Sequence, residues 1–386
     1  MTDGELAVIG LGSAGSMALW QAAKLSGGGG VVGFEARTPA HGRSAVGGDS
    51  RLFRMTFREQ HDLSPLLASS LGLWRELESD SGQEILTQCG GLSIGDRRGY
   101  VEAILRNVRE TGAPHTVLDA AALRARYPQH RVSDDDAAVL DPRAGFLRTE
   151  RAVLSAVAAA ESHGAQVLAS TPVDALHEDA HGVRVVSGSA SWTFERVIVA
   201  AGGWSRHLLP TAVADAVEPY RNFLTWFLAR EPASYTPDRF PIFIRIQERL
   251  SMYGAPSLDG ATVKATLDGR GGPASNPEDL DRELTDAEVA ESELTVREFL
   301  PGLVPSIVRS DSYPDLFTAD RRPLIGTVPG RPRTYVATGF SGAGFKIASG
   351  VGSLIARRAL GYPTRPDLEG TLRFADPGRF ASLMAR

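Results

Sequence analysis

The feature that most constrains the fold is a glycine turn held between two regular elements near the start of the chain. Leu6-Ala7-Val8-Ile9 is an apolar run of strand length, and Gly10-Leu11-Gly12-Ser13-Ala14-Gly15 follows it directly. From Ser16 to Leu25 the apolar side chains Met17, Leu19, Trp20 and Ala23 recur at helical spacing. Gly27 to Gly30 ends that helix, and Val31-Val32-Gly33-Phe34-Glu35 reads as a second strand. Such a unit forms a parallel strand pair with a right-handed crossover. The three glycines differ in what they allow. Gly10 permits the tight turn, Gly12 lets backbone approach a pyrophosphate, and Gly15 lets helix and strand pack closely. Ser13 and Ala14 open the helix, whose free N–H groups and partial positive charge suit phosphate oxygens. Glu35 ends the second strand, where a carboxylate accepts hydrogen bonds from a ribose hydroxyl pair. A turn that merely joined strand to helix would need no acid in that register. The motif implies a dinucleotide, and alone it does not separate FAD from a nicotinamide cofactor.

With 386 residues the chain can bury a core that needs neither disulfide nor metal. Its single cysteine, Cys89, excludes an intrachain disulfide and a multi-thiolate zinc site, and fits a reducing cytoplasm. The net charge of -5 is spread without long runs of one sign, which argues against nucleic acid as a partner. The N-terminus lacks the pattern of a secretory signal, and no apolar run approaches the roughly 20 residues that cross a bilayer. The expectation is a soluble cytoplasmic monomer with no membrane partner.

Further along, Ser64-Pro65 reads as an N-cap and first helical residue, with a helix through Leu66, Leu67, Leu71, Trp74 and Leu77. Gly90 to Ile94 is a strand, and Gly99 to Arg126 is mostly helical. Thr149 is expected to cap a helix from Glu150 to about Ser162, before a strand from Gln166 to Ala169. Ser187 to Val199 holds strand-like runs that end at Gly202, and Val217 to Lys264 is strand-rich. Gly269 to Asp286 reads as an exposed loop, and Leu294 to Leu300 as helical. Tyr335 to Thr338 is a late strand, followed by a glycine turn and a helix from about Gly344 to Leu360.

The late segments carry a family resemblance. Phe317-Thr318-Ala319-Asp320-Arg321-Arg322-Pro323-Leu324-Ile325-Gly326 resembles a late segment of the D-amino-acid oxidase superfamily. Tyr335-Val336-Ala337-Thr338-Gly339-Phe340-Ser341-Gly342-Ala343-Gly344-Phe345-Lys346 resembles the flavin-contacting turn of the monomeric sarcosine oxidase and N-methyltryptophan oxidase family. Gly48-Asp49-Ser50-Arg51, with Arg54, resembles the same family's segment beneath the flavin ring. The glycines at 339, 342 and 344 suit a wide planar ring, and helix N–H groups suit negative charge on a reduced flavin.

The resemblance implies an α/β fold: an FAD-binding, Rossmann-like domain of glutathione-reductase type beneath a mixed or antiparallel substrate sheet. Residues 1–84, 147–215 and 316–386 would form the FAD domain, and 85–146 and 216–315 the substrate domain. Cofactor contacts would come from the first glycine turn (Gly10, Gly12, Ser13, Ala14, Gly15) and Glu35. Ser44, Ser50, Arg51, Val173, Gly202, Trp204 and Asp320 would add to them, as would Gly339, Gly342, Ala343, Gly344, Phe345 and Lys346 of the late turn. The implied reaction converts a small-molecule amine to an imine and dioxygen to hydrogen peroxide. Arg54 and Lys346 would grip a substrate carboxylate, a planar fork and a point charge suited to one anion. Tyr253-Gly254-Ala255-Pro256-Ser257 and Lys264 match a further family segment, in which the lysine lies over the other flavin face and serves dioxygen. Tyr253, Asp268 and Ala343 would line the substrate pocket.

Three departures qualify the resemblance. The family's flavin-linking cysteine is absent from Val308-Arg309-Ser310-Asp311-Ser312-Tyr313, which implies noncovalent FAD. Ala343 and Asp268 replace family histidines, enlarging or recharging the pocket towards a bulkier or more polar amine than sarcosine. The substrate therefore stays open: an N-methyl or N-alkyl amino acid, a cyclic one such as pipecolate, or a sugar-derived amine. A dehydrogenase that passes electrons elsewhere is a second reading. A flavin-binding module without turnover is a third, against which Lys264 and the Arg54/Lys346 pair argue.

Overall fold

Gly10 and Gly15 shape the first unit of the fold by steric necessity. In a computed structural model, which describes residues 3–56, 61–247, 249–268 and 271–381, β1 (Gly4–Ile9), α1 (Ser13–Ser26) and β2 (Val31–Phe34) form the expected crossover. Leu6 pairs with Val31 and Ile9 with Phe34 in parallel register. Gly10 has φ +87°, and a Cβ there would lie 2.6 Å from Ala201 Cα. A Cβ on Gly15 would lie 1.8 Å from Gly10 O, so only glycine lets the helix leave the strand this closely.

β1 and β2 sit at the centre of an eight-stranded sheet. Gln166–Leu168 extends it parallel beyond β2, and Ala190–Val199 and then Arg331–Thr338 extend it parallel beyond β1. Ala175–Glu178, Val183–Ser187 and Leu324–Val328 add antiparallel edges. Three helices cover one face: α1, Thr149–Ser162 and Gly344–Ala359. Small residues set their spacing. A Cβ at Gly352 would come within 2.5 Å of Met17, and one at Gly350 within 2.5 Å of Ser70 Oγ on α2 (Ser64–Ser81). Met17, Leu19 and Trp20 are fully buried there, each contributing about 1.5–3 kcal/mol of burial. Trp74 stacks on Phe345 at 6.0 Å and donates to Lys346 O, which fixes the start of the last long helix.

A nine-stranded sheet forms the second layer. It is antiparallel except where Ile242–Ile246 runs parallel to Gly91–Asp96. Its longest ladder joins Val217–Ala229 to Leu303–Thr318, a strand that the sequence pattern does not announce. Between the sheets, β3 (Ser50–Phe53) pairs with Gly145–Arg148, which also pairs with Leu86–Thr87.

Several expected element ends move. Ser64 is not a cap: the single turn His61–Leu63 runs straight into the helix, so Ser64 is already helical. Thr149 likewise stands inside its helix and donates to Glu150 at 2.8 Å. The helix expected from Leu294 begins at Asp286, behind a capping box of Thr285 and Glu288. Of the loop expected from Gly269 to Asp286, Gly269 and Arg270 lie outside the described residues. Gly272–Pro273 pairs along the sheet edge and Pro277–Asp279 forms a short turn.

The core of the nine-stranded layer holds a charge-sensitive residue. His130 is 2% exposed, lies against Phe240 at 5.2 Å and Phe243 at 5.0 Å, and has no hydrogen-bond partner for either ring nitrogen among the described residues. Burial, with help from Arg245, pushes its pKa from 6.5 down to about 3. Because the folded value lies below the unfolded one, neutral His130 is tolerated above pH 6.5, and stability is lost progressively as pH falls towards 3. His130→Leu should therefore flatten the acid limb of stability. Denaturant midpoints at pH 7.5 and 4.5, at fixed FAD, test this. The wild type should lose stability on acidification by up to about 1.4 kcal/mol per pH unit more than the variant. Parallel pH profiles would remove His130 as a source of acid sensitivity.

Candidate cofactor and active site

The β1–α1 turn opens into a long cavity at the carboxyl ends of the parallel strands, where open α/β sheets place ligands. Gly10, Gly12, Ser13 and Ala14 line it, and the only atom near a Cβ on Gly12 would be Val46 Cγ2 at 3.9 Å. That bare backbone faces the cavity, with no side chain capping the N-terminus of α1. Glu35 is 6% exposed and accepts from Leu11 N at 2.9 Å and Arg37 N at 3.0 Å, with His41 Nε2 at 3.5 Å. Burial alone would raise its pKa, but His41 and the two N–H groups hold it below the usual carboxylate value. It stays ionised beside the turn, as a ribose partner requires.

Ser44, Arg51, Val173, Gly202 and Trp204 also line the cavity, as do Gly339, Gly342, Gly344 and Phe345. The remaining sequence-predicted cofactor residues do not. Gly15 is packed against Gly10, Ser50 accepts from Lys264, and Ala343 is buried where the turn enters its helix. Asp320 is held by Arg379 at 2.8 Å and by Arg322 N at 3.1 Å. It braces its own turn, before Leu324–Val328, against the C-terminal segment that bears Arg379, and takes no part in the lining.

Sequence reasoning missed the cover over one end of this cavity. Glu278 lines the cavity and accepts from Trp204 Nε1 at 2.9 Å and from Arg37 at 3.0 Å. Arg282, on the same segment, donates to Gly42 O and Arg43 O at 3.1 Å and to Ser312 O at 2.8 Å. The acid-rich stretch that reads as a loop is thus a strap across the Glu35 end. A Glu among many acids gives no signal of this in sequence.

The other end gathers charge. Arg51 points its guanidinium at Ala45 O, Gly47 O and Ser50 O, at 2.9, 2.8 and 2.8 Å, and lies over the Tyr313 ring. Lys264 is 4% exposed and donates to Gly48 O and to Ser50 O and Oγ, the last two at 2.8 Å. Burial pushes its pKa well below the lysine range and Arg51 adds to this, while the three acceptors favour the ammonium. Arg54 follows β3, where Asp141 Oδ2 anchors the next two N–H groups, Met55 at 2.7 Å and Thr56 at 3.1 Å. Lys346 stands in the first turn of Gly344–Ala359. Burial and the neighbouring Arg54 lower its pKa to about 7, and no described residue pairs with its ammonium. Tyr253 lies on a strand opposite; burial pushes its hydroxyl up to about 12, with Asp268 and Asp315 adding to the rise. Asp315, which lines the cavity, was not foreseen from the sequence.

A dinucleotide fits this cavity on its steric and polar features. Residues 5–358 match the family described as FAD dependent oxidoreductase, so the chain belongs to that family of flavoproteins. It is 32% identical over 389 residues to a monomeric sarcosine oxidase of Streptomyces avermitilis, with 99% of each chain covered. It is 29% identical over 372 residues to an N-methyl-L-tryptophan oxidase of Yersinia pestis, covering 95% of this chain and 97% of that one. Among solved structures, the fold superposes on NikD, an unusual amino acid oxidase essential for nikkomycin biosynthesis, with TM-score 0.84, 21% identity and 97% of both chains covered. L-proline dehydrogenase from P. horikoshii gives TM-score 0.82 at 22% identity, covering 99% of this chain and 98% of that one. No helix among the described residues is long and apolar enough to cross a membrane.

If Glu278 holds the strap, Glu278→Ala should release FAD faster. Losing one hydrogen bond and one exposed ion pair, together worth about 1–2 kcal/mol, predicts roughly a tenfold faster release. Flavin fluorescence after rapid dilution measures it. A variant that releases FAD at the wild-type rate would show that the strap does not retain the cofactor.

Proposed function

We propose that this flavoprotein oxidises the carbon–nitrogen bond of a secondary amino acid, with FAD held noncovalently. Residues 1–84, 147–215 and 316–386 would hold the cofactor, and 85–146 and 216–315 would roof it. The observation that carries the reading is the Arg54–Lys346 pair: two cations close enough for one to depress the other, without an anion on Lys346 among the described residues. Holding them together costs free energy that a bound carboxylate recovers. The names of the two curated relatives, a sarcosine oxidase and an N-methyl-L-tryptophan oxidase, support an N-alkyl amino acid as the carrier of that carboxylate. Bound FAD would supply a two-electron acceptor that dioxygen regenerates.

The chain's own contribution is placement. The Asp141 anchor positions Arg54, and the Trp74–Phe345 stack fixes the helix turn that bears Lys346. A carboxylate gripped by both orients the neighbouring carbon–nitrogen bond and removes its translational freedom. Asp268, which acts on the Tyr253 hydroxyl, would give the pocket a polar wall suited to a more polar amine than sarcosine, and the small Ala343 between the lining residues Gly342 and Gly344 would leave room for a larger one. Cys89 is no candidate for a covalent link, since it packs near Ala144 and Phe146 and burial pushes its thiol up to about 11. The single cysteine supports a reducing, cytoplasmic setting, and a monomer suffices for every residue invoked here.

Lys346 makes carboxylate binding pH-dependent. Its pKa in the free protein is about 7, so the ammonium form is full below that pH and is lost above it. A simple carboxylate such as acetate should bind with constant affinity below pH 7 and weaken by up to about tenfold per unit above it. Lys346→Met should bind about tenfold or more weakly at pH 6 and show little pH dependence. Titration of the flavin absorbance measures both. Equal affinities and equal pH profiles in the two proteins would remove the clamp.

Lys264 bears on dioxygen. With its N–H groups committed to Gly48 and Ser50, it acts as a fixed buried charge and not as a mobile donor. Lys264→Met should leave anaerobic flavin reduction by the amine within a few-fold of wild type. Reoxidation in air should slow on the order of a hundredfold, the usual loss for one preorganised electrostatic group. Stopped-flow measurement of each half-reaction separates the two effects. Wild-type reoxidation in the variant would assign dioxygen to another group, and a wild-type reduced flavin that persists in air would favour a dehydrogenase.

A further inference from the structure

The strand Leu303–Thr318 carries a carboxylate to which the amine-oxidising reading gives no role. Asp315 lines the cavity beside Leu316 and Gly342. Its orientation is set by backbone: Leu316 N donates to Oδ1 at 2.8 Å and Gly342 N to Oδ2 at 2.9 Å. The cation that acts on it, Arg51, directs its hydrogen bonds to carbonyls at 45, 47 and 50, so Asp315 has no ion-pair partner among the described residues. A cavity-facing carboxylate that is fixed but not neutralised calls for a cation from outside the chain.

Two relations place Asp315 at the reacting end. Gly342 belongs to the turn that enters Gly344–Ala359, and its N–H holds Asp315, while Lys346 stands in the first turn of that helix. On the opposite side, Asp315 and Asp268 both raise the Tyr253 hydroxyl. Asp315 is therefore tied to the turn that leads to Lys346 and faces Tyr253 of the roof. An α-amino acid carries its nitrogen one carbon from its carboxylate. With the carboxylate on Arg54 and Lys346, the nitrogen falls to a group flanking the clamp.

We propose that Asp315 receives the substrate's ammonium group and takes the proton that must leave before the carbon–nitrogen bond can be oxidised. The inference rests on the amine-oxidising reading. In the step, one N–H bond breaks, an O–H bond forms on Asp315, and the electron pair stays on nitrogen; no further reactant is required. The charged and titratable groups facing Asp315 are Arg51 from β3, Tyr253 from the roof, and Tyr220 opposite it in the ladder, and Asp268 acts on that same Tyr253. Burial raises the Asp315 carboxyl, while Arg51, Arg54 and Lys346 weaken a bound amine's hold on its proton. Both effects narrow the gap that the transfer must cross.

Asp315→Asn keeps the size and an acceptor oxygen but cannot accept the proton. Anaerobic flavin reduction by the best amine substrate, followed from pH 6 to 10, tests the assignment on the FAD-loaded protein. The apparent second-order constant should fall tenfold or more at pH 7. It should recover as pH rises towards the free amine's own ionisation, near about 10. Asp315→Glu should restore reduction at pH 7. Acetate affinity should stay at the wild-type value in Asp315→Asn, showing that the clamp is intact. A wild-type pH profile in the Asn variant overturns the proposal. So does a shifted flavin spectrum or reduction potential with an unchanged substrate profile, which would assign Asp315 to the cofactor. If no amine reduces the wild-type flavin, the amine-oxidising reading itself fails, a result separate from an unaltered variant.

Discussion

One buried ammonium ties the floor of the site to its roof. Lys264 leaves the strand Thr262–Leu267 of the nine-stranded sheet and ends on Gly48 O, Ser50 O and Ser50 Oγ. Those acceptors are presented by left-handed backbone at Gly48 and Asp49, with φ +100° and +66°. The segment continues into β3, which carries Arg51 and leads to Arg54. Tyr253 stands on the strand paired with that of Lys264, and Asp268 directly follows the Lys264 strand itself. Burying an ammonium costs several kcal/mol, and three charge-assisted hydrogen bonds at about 1.5–3 kcal/mol each offset it. This lysine thus adds polar contacts to the packing of the strand Ser251–Ala255 against β3.

The charges on the floor have one dominant sign. Arg51, Arg54 and Lys346 approach one region from two elements, and the helix bearing Lys346 cannot retreat because Gly350 and Gly352 seat it against α2 and α1. A rigid scaffold under like charges makes the site selective before any shape is considered. Under the proposed function, anions would be drawn in, and a bare amine lacking a carboxylate would gain nothing from Arg54 and Lys346.

How much of this was legible in the sequence depends on the range of each constraint. Gly10, Gly15 and Glu35 were legible because a close strand–helix exit and an acid at the next strand end are local requirements. Arg54 and Lys346 were legible only through resemblance, since nothing in either neighbourhood announces a distant partner. Asp315 was hidden because Leu303–Thr318 passes through the polar run Arg309-Ser310-Asp311-Ser312, which masks the strand itself. Ser64 and Thr149 misled as caps because capping depends on the backbone before the residue, and there a turn or strand already sets it. Asp320 has the position of a cofactor residue and the hydrogen bonds of a brace, a difference that only Arg379 reveals.

The eight-stranded sheet draws the walls of its cavity from both ends of the chain, with Ile9 and Gly12 on one side and Ala337 to Phe345 on the other. The first glycine turn emerges early in synthesis, yet it has no opposing wall until Arg331–Thr338 inserts beside Ala190–Val199. That pairing is between distant parts of the chain, and such pairings form slowly. Capture of the dinucleotide must therefore follow synthesis and docking of residues 331–345. Because a ligand bound only by the native state pulls the folding equilibrium towards it, the supply of free FAD in the cell becomes a factor in how much newly made chain reaches its mature form.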